Sequence, residues 1–427
     1  MLDLKFIREN PEKVKECVRR RHMECDVDAL LELDREYRNL LVQAERLKHE
    51  RNAGSDEIGR KKSKGEDADE LMARMKVVSQ NISDIDSKVK DYRQKIRSSS
   101  LLVPNMLHES VPDGRTEDDN VEVRQWGGPA KLPSRCETHI EIGKRLGIID
   151  SEIPAKLAGS GFAFYRAAGA RLVRALINFM LDLHTGKHGY TEIFPPFLAN
   201  RDCMTGTGQL PKLEEDMYRI DEEDFFLIPT AEVPLTNIHR DEIVPSKSLP
   251  RYYTAYTACF RREAGSYGKQ TKGLTRVHQF NKVELVKFVH PATSGEELES
   301  LLNDAEEVLK SLGLHYRVMQ LCAGEISFAA SRCYDIEAWA PGQRKYLEVS
   351  SCSNFTDFQA RRAGIRFRNA PGGPTEYVHT LNGSGTAIPR VIIALVESYQ
   401  QEDGSVSIPE VLRPYMGGQD KIVPERH

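Results

Sequence analysis

Arginines and carboxylates stand at alternating positions between residues 259 and 284, in the segment CFRREAGSYGKQTKGLTRVHQFNKVE. Successive side chains of a strand point to opposite faces, so Arg261 and Glu263 would share a face of one predicted strand. One face of a second predicted strand would carry Arg276, His278, Phe280, Lys282 and Glu284. Charged groups are costly to bury unless they are paired, so these faces indicate a ligand site rather than a core.

The residue types of the two faces indicate what the ligand carries. A guanidinium group can hold a phosphate or a carboxylate through two hydrogen bonds, and a phenylalanine beside an arginine can sandwich a flat base. We therefore expect a ligand with a phosphate, an aromatic base and an amine. The alternative is a solvated hairpin at a sheet edge with cross-strand ion pairs. Between the strands, AGSYGKQTKGL contains Gly265, Gly268 and Gly273 and predicts a long mobile loop that could close over a ligand.

The wording FRRE followed by RVHQFNKVE resembles the second signature motif of class II aminoacyl-tRNA synthetases. The flanking sequence is similar to seryl-tRNA synthetases over nearly all 427 residues. This resemblance implies an α+β fold, in which an antiparallel coiled-coil arm precedes a domain with a mainly antiparallel β-sheet flanked by helices. It also implies activation of L-serine by ATP to seryl-adenylate, followed by transfer to the 3′ end of tRNA(Ser). Whether tRNA(Sec) is also charged stays open.

The resemblance assigns roles around ATP. Arg261 would bridge the substrate carboxylate and the α-phosphate, while Arg390 would hold outer phosphates together with Arg276; Arg261 and Arg390 are the predicted catalytic pair. Glu263 would lie near the adenine amine and Phe280 would stack on the base. The neighbouring Arg262 also belongs to the predicted site, although strand alternation turns it away from the ligand. The predicted ATP-binding set is Arg261, Arg262, Glu263, Arg276, Val277, Phe280, Glu348, Val349, Ser350, Ser351 and Arg390.

The segment YLEVSSCSNFTDFQARR predicts a strand that runs into a helix. The resemblance implies that Glu348 and Ser351 hold Mg²⁺ together with ATP, and hard oxygen ligands of this kind suit that ion. A regular pleat would pair Glu348 with Ser350 instead. The strand must therefore bulge there, or the assignment of Ser351 is off by one residue.

The predicted serine site draws on separate segments. In FFLIPTAEVPLTN, Thr230 and Glu232 are two residues apart and can face one ligand, and a hydroxyl with a carboxylate suits an α-amino group. In LNGSGTAIPRVIIALVESYQ, a strand is followed by an apolar helix with Pro389 in its first turn. The resemblance implies that the serine-binding residues are Thr230, Ala231, Glu232, Arg261, Glu284, Asn382 and Ser384.

Two heptad seams predict that residues 1–110 form a helical arm, followed by a catalytic domain over 111–427. Their apolar positions are Leu33, Tyr37, Leu40, Ala44 and Leu47, then Leu71, Met75, Val78, Ile82, Ile85, Val89, Tyr92 and Ile96. The glycine-containing segment 52–69 would connect the two helices as a hairpin. The hairpin alone could be a spacer or a dimerisation rod.

Charge favours a nucleic-acid role for the arm. Lys and Arg outnumber Asp and Glu seven to three from Arg46 to Lys64, as expected for a segment that touches phosphates. The resemblance implies tRNA binding by the arm, and we assign it to Arg60, Lys61, Lys62 and Lys64. A second basic cluster, also expected to touch phosphates, comprises Lys13, Lys15, Arg19, Arg20 and Arg21.

The overall composition excludes several classes of protein. A net charge of −4 disfavours a nonspecific DNA binder. The eight cysteines show no metal-ligand spacing, so no structural zinc is expected. We find neither a signal peptide nor a membrane span, which indicates a cytoplasmic protein without a membrane partner.

The segment 166–199 is predicted to be a helix, a turn and a strand, and it resembles the first class II motif, which implies a homodimer. Two other functions remain open. One is an enzyme that loads an amino acid onto a carrier protein, against which the coiled-coil arm argues. The other is a noncatalytic binding module, which would not need Arg261, Glu284, Glu348 and Arg390 together.

Overall fold

The computed structural model describes residues 1–128, 132–150, 152–264 and 273–424. The chain divides into two compact units, one made of Leu2–Arg19 and Met23–Pro104, the other of Met1, Arg20–His22 and Asn105–His427. The domain boundary after residue 110 stays a prediction. Across the described ranges, no helix combines the length and the apolar composition needed to cross a lipid bilayer.

Helices make up the N-terminal unit, and they are α1 (Leu4–Glu9), α2 (Pro11–Arg20), α3 (Val27–Ser63) and α4 (Asp69–Ser100). The side chain of Asp26 caps α3 by accepting from the backbone NH of Ala29 at 2.8 Å. Helices α3 and α4 pack antiparallel, and Lys48 of α3 pairs with Asp86 of α4 at 3.0 Å. The predicted hairpin is therefore confirmed.

The seam of the hairpin contains the predicted apolar residues. Met75, Val78 and Ile82 are buried together, with the partly buried Leu47, Ile58 and Leu71 packed around them. The prediction that residues 52–69 connect the helices was wrong, because α3 continues to Ser63. Gly54 belongs to the interface instead. A Cβ atom there would collide with the side chain of Met75, so glycine permits the close approach of the two helices.

Helices of the second unit are α5 (His139–Arg145), α6 (Ile153–Leu157), α7 (Ala167–Gly186), α8 (Arg201–Thr207), α9 (Glu232–Thr236), α10 (Ser294–Ser311), α11 (Phe358–Ala363) and α12 (Ile388–Ser398). The helix predicted over 166–184 is confirmed by α7. Its residues Leu172, Leu176 and Phe179 are buried in the main core, to which α10 and α12 also contribute.

Strands of the second unit are β1 (Val121–Trp126), β2 (Ile149–Asp150), β3 (Phe164–Tyr165), β4 (Thr191–Glu192), β5 (Leu198–Asn200), β6 (Arg219–Ile220), β7 (Phe225–Leu227), β8 (Ile243–Pro245), β9 (Arg251–Phe260), β10 (Gln279–Val289), β11 (Tyr316–Gln320), β12 (Arg332–Ala340), β13 (Lys345–Asn354), β14 (Arg366–Arg368), β15 (Thr375–Tyr377), β16 (His379–Ala387), β17 (Val406–Ser407) and β18 (Lys421–Ile422). Eight form one sheet in the order β1-β11-β12-β13-β16-β10-β9-β4. All its neighbours are antiparallel except β4 and β9, so the predicted α+β fold with a mainly antiparallel sheet is confirmed.

The two strands predicted around residues 259–284 are shorter than expected. Strand β9 ends at Phe260 and β10 begins at Gln279, so Arg261, Glu263 and Arg276 lie beyond the strand ends. Glu263 has a φ of +53°, in the left-handed region that ends a regular strand. The alternating pattern therefore overestimated the length of the ladder. Most of the predicted mobile loop, residues 265–272, lies outside the described residues.

One basic residue of the second predicted cluster has a structural role. The side chain of Arg21 is only 1% exposed, and its guanidinium donates to the carbonyl oxygens of Ser327 and Ala330. A guanidinium held in this way satisfies buried carbonyl groups of the second unit. The prediction that Arg21 belongs to a phosphate-binding surface was wrong.

Candidate active site

A cavity of about 650 Å³ opens at the centre of the catalytic unit. Side chains from β10, β13 and β16 contribute to its lining, together with the residues that follow β9 and the starts of α9 and α12. Most predicted site residues line it: Thr230, Glu232, Arg261, Glu263, Arg276, Val277, Phe280, Glu348, Val349, Ser351, Asn382, Ser384 and Arg390. Segments that are distant in sequence thus converge on one cavity.

Arg261 and Phe280 lie next to each other in the lining. The guanidinium carbon of Arg261 lies 5.2 Å from the centre of the Phe280 ring, a distance compatible with cation–π attraction. The backbone NH of Arg261 donates to the carbonyl of His278 at 2.9 Å, which extends the pairing of β9 and β10 by one bond. Nearby, the guanidinium of Arg276 forms an ion pair with the Glu263 carboxylate at 2.5 Å.

The predicted site residue Glu284 is not in the cavity lining: its carboxylate has no exposed surface and lies behind the amino-acid side of the cavity, against the lining residues Thr230, Lys282 and Asn382. Its Oε2 accepts from the hydroxyl of Thr230 at 2.9 Å and pairs with the ammonium of Lys282. Its Oε1 accepts from the side-chain amide of Asn382 at 2.9 Å. The lysine ammonium also donates to Thr230 at 2.9 Å. These contacts fix the carboxylate, as its burial requires.

A second buried carboxylate, that of Glu232, lies beside the first. Burial and the charge of Glu284 raise the pKa of Glu232 to about 7, while a hydrogen bond from Gln359 and the charges of Lys282 and Arg261 oppose this shift. The carboxyl therefore changes its charge near neutral pH. An ammonium group placed against it would stabilise the ionised form.

Arg390 and Glu348 form the other side of the cavity. Arg390 is in the first turn of α12, after Pro389, as the sequence predicts. Its Nη1 donates to the backbone carbonyl of Glu348 at 2.8 Å and lies 3.1 Å from a carboxylate oxygen of the same residue. The Nε of Arg390 donates to the carbonyl of Thr275 at 3.2 Å. These bonds hold the guanidinium in the wall of the cavity.

Of the possibilities that the sequence left open at Glu348 and Ser351, the structure shows the bulge, in β13. Ile336 of β12 pairs with Ser350, whereas Glu337 pairs with Glu348, so the register shifts at Val349. As a result Glu348 and Ser351 both line the cavity, and the Ser350 hydroxyl instead donates to the carbonyl of Ser384 at 2.6 Å. The geometry favours Ser351 over Ser350 as the serine that faces a ligand.

The donors at Glu348 and Ser351 are oxygens, which are the ligands that Mg²⁺ prefers. Among the described residues, no three His, Cys, Asp or Glu side chains come together as a metal-holding group. A carboxylate and a hydroxyl fit an ion that completes its coordination with phosphate oxygens and water.

Two predicted residues point elsewhere. The guanidinium of Arg262 is exposed and donates to the carbonyl of Glu215 at 3.2 Å, away from the cavity, as strand alternation suggested. Ala231 is fully buried and precedes α9, where its carbonyl accepts from the NH of Leu235 at 3.0 Å. Both remain predictions as binding residues.

Two further residues of the site received no role from the sequence. Lys282 was on the predicted face, and strand alternation could have revealed its pairing with Glu284. Asp335 of β12 pairs with Ser351 across the sheet and forms a side-chain hydrogen bond with it. Burial and the charge of Glu348 raise the pKa of Asp335 well above its ordinary value. No local pattern indicated that Asp335 would lie there.

The predicted tRNA-binding residues lie in the N-terminal unit. Arg60, Lys61 and Lys62 occupy the last turn of α3, and Lys64 follows its end. Lys61 is half-buried, while the other three are exposed. The turn between α3 and α4 thus presents four positive charges.

Comparison with protein families identifies both units. Residues 1–107 match the seryl-tRNA synthetase N-terminal domain, and residues 213–399 match the tRNA synthetase class II core domain (G, H, P, S and T).

Comparison with individual proteins covers the whole chain. A serine–tRNA ligase of Syntrophotalea carbinolica is 56% identical over 422 residues, 99% of this chain and 100% of that protein. One from Thermodesulfovibrio yellowstonii is also 56% identical, over 98% of this chain and 99% of its own. The crystal structure of seryl-tRNA synthetase from Pyrococcus horikoshii complexed with ATP matches with a TM-score of 0.94 and 40% identity, covering 100% of both chains.

Proposed function

The chain belongs to the seryl-tRNA synthetase family, and from that premise we propose how its cavity carries out the reaction. The protein is an ATP-dependent serine–tRNA ligase, which activates L-serine to seryl-adenylate and transfers serine to the 3′ end of tRNA(Ser). One observation carries the mechanism. A single cavity has arginines suited to phosphates in its lining, together with one buried carboxylate suited to an amine and a second one directly behind the lining that is suited to a hydroxyl.

The amino-acid side would recognise serine through its three polar groups. The ionised Glu232 accepts from the α-ammonium, helped by the hydroxyl of Thr230. Glu284 accepts from the serine hydroxyl, and Asn382 and Ser384 complete the pocket. A buried carboxylate left without the substrate hydroxyl is unfavourable, which is a physical basis for rejecting alanine. Ala231 would contribute through its backbone.

Adenylate formation needs positioning and charge stabilisation rather than a covalent enzyme intermediate. A carboxylate oxygen of serine attacks the α-phosphorus, and the bond to the leaving pyrophosphate breaks. Arg261 bridges the carboxylate and the α-phosphate, while Arg276 and Arg390 hold the outer phosphates. Phe280 stacks on adenine and Glu263 accepts from its amino group. Val277 and Val349 would line the nucleotide, whereas the guanidinium of Arg262 faces away from it.

Transfer follows in the same cavity. The terminal ribose hydroxyl of the tRNA attacks the carbonyl carbon of seryl-adenylate, and AMP leaves.

Glu348 and Ser351 would hold Mg²⁺, with Ser350 supporting the strand beneath them. When bound, the ion would neutralise the negative charge of the ATP phosphates during adenylate formation.

The N-terminal unit would bind tRNA(Ser) through the charges of Arg60, Lys61, Lys62 and Lys64. The exposure of Arg60, Lys62 and Lys64 supports this role, since phosphate contacts of RNA are made by accessible cations. We take residues 1–110 as this tRNA-binding unit and 111–427 as the catalytic one. A cytoplasmic location fits an enzyme that supplies translation.

We also propose a homodimer through residues 166–199. Phe194 is 77% exposed and Leu198 is 41% exposed in this segment. A partner subunit docked on this segment would cover these two exposed apolar side chains. Sedimentation equilibrium tests the proposal, and a monomer at micromolar concentration would contradict it.

Serine-dependent exchange of pyrophosphate into ATP, compared across amino acids, tests the activation step. We expect exchange with serine and little with alanine or glycine. Charging of tRNA(Ser) then tests transfer. An enzyme that exchanges but transfers serine only to a carrier protein would support the carrier-loading alternative, and a protein without exchange would be a binding module.

A further inference from the structure

The side chain of Gln359 in α11 is fully buried behind the amino-acid side of the cavity. Its amide nitrogen donates to Oε1 of Glu232 at 2.6 Å and to the backbone carbonyl of Thr207 at 3.1 Å. Its amide oxygen accepts from the hydroxyl of Thr380 at 2.7 Å. Gln359 therefore links Glu232 to α8 and β16 with both NH donors and its oxygen in use.

These partners determine which way the amide points. The carbonyl of Thr207 can only accept a hydrogen bond, so the NH₂ group must face it, and the amide oxygen must face Thr380. The second NH is then directed at Glu232. Among the described residues, Gln359 is the one side chain that hydrogen-bonds the Glu232 carboxylate. A protonated carboxyl could still accept this bond on its carbonyl oxygen, but the bond to the charged carboxylate is stronger, so the arrangement favours the ionised acid.

Charged groups around Glu232 have opposite effects on the ionisation of its carboxyl. Glu284 on β10 disfavours its ionised form, whereas Lys282 on the same strand and Arg261 after β9 favour it. A cation bonded directly to Glu232 would compete with the ammonium of the substrate. A neutral amide stabilises the negative charge without neutralising it, so the charge remains available to a ligand.

We propose that Gln359 is a positioning residue for amino-acid recognition, which orients the Glu232 carboxylate and keeps it ionised to receive the α-ammonium of serine. This inference rests on the proposed role of Glu232 in serine binding. Thr207 and Thr380 belong to the same device, because they fix the orientation of the Gln359 amide.

The test is Gln359→Met, which keeps the length of the side chain and removes both donors. We expect the KM for serine to rise roughly 10- to 100-fold, as for the loss of a hydrogen bond to a charged group. The KM for ATP should change less than about twofold, since Gln359 supports only the amino-acid side. Pyrophosphate exchange with each substrate varied in turn measures both constants.

The pH profile separates positioning from general structural support. Loss of the NH donor raises the pKa of Glu232, so the acid limb of kcat/KM for serine should move up by about one pH unit. Thr380→Val frees the amide to rotate and should move the limb in the same direction by less. An unmoved limb in both variants, or equal rises of KM for serine and ATP, would overturn the proposal.

The variant Glu232→Gln separates the role of Glu232 in serine binding from the role of Gln359 in positioning it. If this variant binds serine normally in isothermal titration calorimetry, the role of Glu232 itself is wrong. If Glu232→Gln weakens serine binding but Gln359→Met and Thr380→Val do not, only the role of Gln359 is wrong. Should Gln359→Met fail to fold, Thr380→Val alone decides through its pH profile.

Discussion

The cavity of the catalytic unit and the turn of the helical hairpin use charge in opposite ways. At the cavity, Lys282 in the lining and Glu284 behind it are buried, and each is held by several partners. At the turn, Arg60, Lys62 and Lys64 are exposed to water. Buried charges interact strongly in a low dielectric, whereas exposed ones are screened by salt. Function in the cavity should therefore depend on individual groups, and function at the turn on their sum.

The largest effect should come from Glu284. A site built to bind a hydroxyl can reject an analogue without it by roughly 10⁴-fold. We expect Glu284→Gln to lose most of the discrimination between serine and alanine while the KM for ATP is retained. Gln is preferable to Ala, because it keeps the size and the hydrogen-bonding capacity of the side chain, although either change removes the buried counter-charge of Lys282 at a cost of about 3–5 kcal/mol of stability. Pyrophosphate exchange with each amino acid measures the ratio.

A matched control lies farther along β10. Lys287 is also fully buried and pairs with Glu297 at 3.0 Å, outside the cavity lining. Glu297→Gln should lower stability without changing the serine-to-alanine ratio. If both variants change the ratio equally, Glu284 acts through the fold and does not read the hydroxyl.

Arg261 should show the next largest effect. Arg261→Ala removes a contact to charge that develops in the transition state, at a cost of about 3 kcal/mol or more, so exchange should fall by at least about 100-fold. The adjacent Arg262→Ala is the control, because its guanidinium faces the carbonyl of Glu215. Melting temperatures of both variants should remain close to that of the unmodified protein. Exchange at the original rate in Arg261→Ala would refute its role.

Removal of the hairpin compares the two regions directly. Replacing residues 30–96 with a short linker should leave pyrophosphate exchange intact, because all the cavity-lining residues belong to the catalytic unit. Charging of tRNA(Ser) should fall by roughly 10- to 100-fold as phosphate and shape contacts are lost. Full charging would make the hairpin a spacer. Loss of exchange as well would mean that it supports the fold of the catalytic unit.

Neutralising the turn should give the smallest and most graded effect. Substituting Arg60, Lys61, Lys62 and Lys64 by Gln should flatten the slope of log K for tRNA against log salt by up to about 3. Each single substitution should contribute a fraction of this change. The control is the same substitution at Lys76, Lys88, Lys90 and Arg93, which are exposed on α4. An equal change in the control would indicate a diffuse field along the arm instead of contacts at the turn.

Sequence patterns predicted those parts of the molecule that depend on local periodicity. The hairpin seam, helix α7 and the shared face of Phe280 and Lys282 were recognisable from spacing, and a bulge at Val349 was one explanation for the conflict between pleat and motif.

Long-range packing could not be predicted in this way. Asp335 reaches Ser351 only because β12 pairs with β13, and Gln359 reaches Glu232 only because α11 packs behind the cavity. The burial of Arg21 likewise depends on carbonyl groups about three hundred residues away in the chain. Periodicity says which face a residue occupies, but not what the rest of the fold places opposite it.

The contact between Gly54 and Met75 aligns α3 with α4 along the hairpin, and this alignment bears on the length of the arm. Because glycine at this point leaves room for the Met75 side chain, the close packing of the two helices favours the register in which Gly54 and Met75 face each other. This register fixes the distance from the contact to the turn along α3 and along α4 together. A longer or shorter arm requires matched insertions or deletions in α3 and α4, in steps of seven residues or about 10 Å. An unmatched change would move the basic turn out of line with the seam, so the reach of the arm can evolve or be engineered only in whole increments.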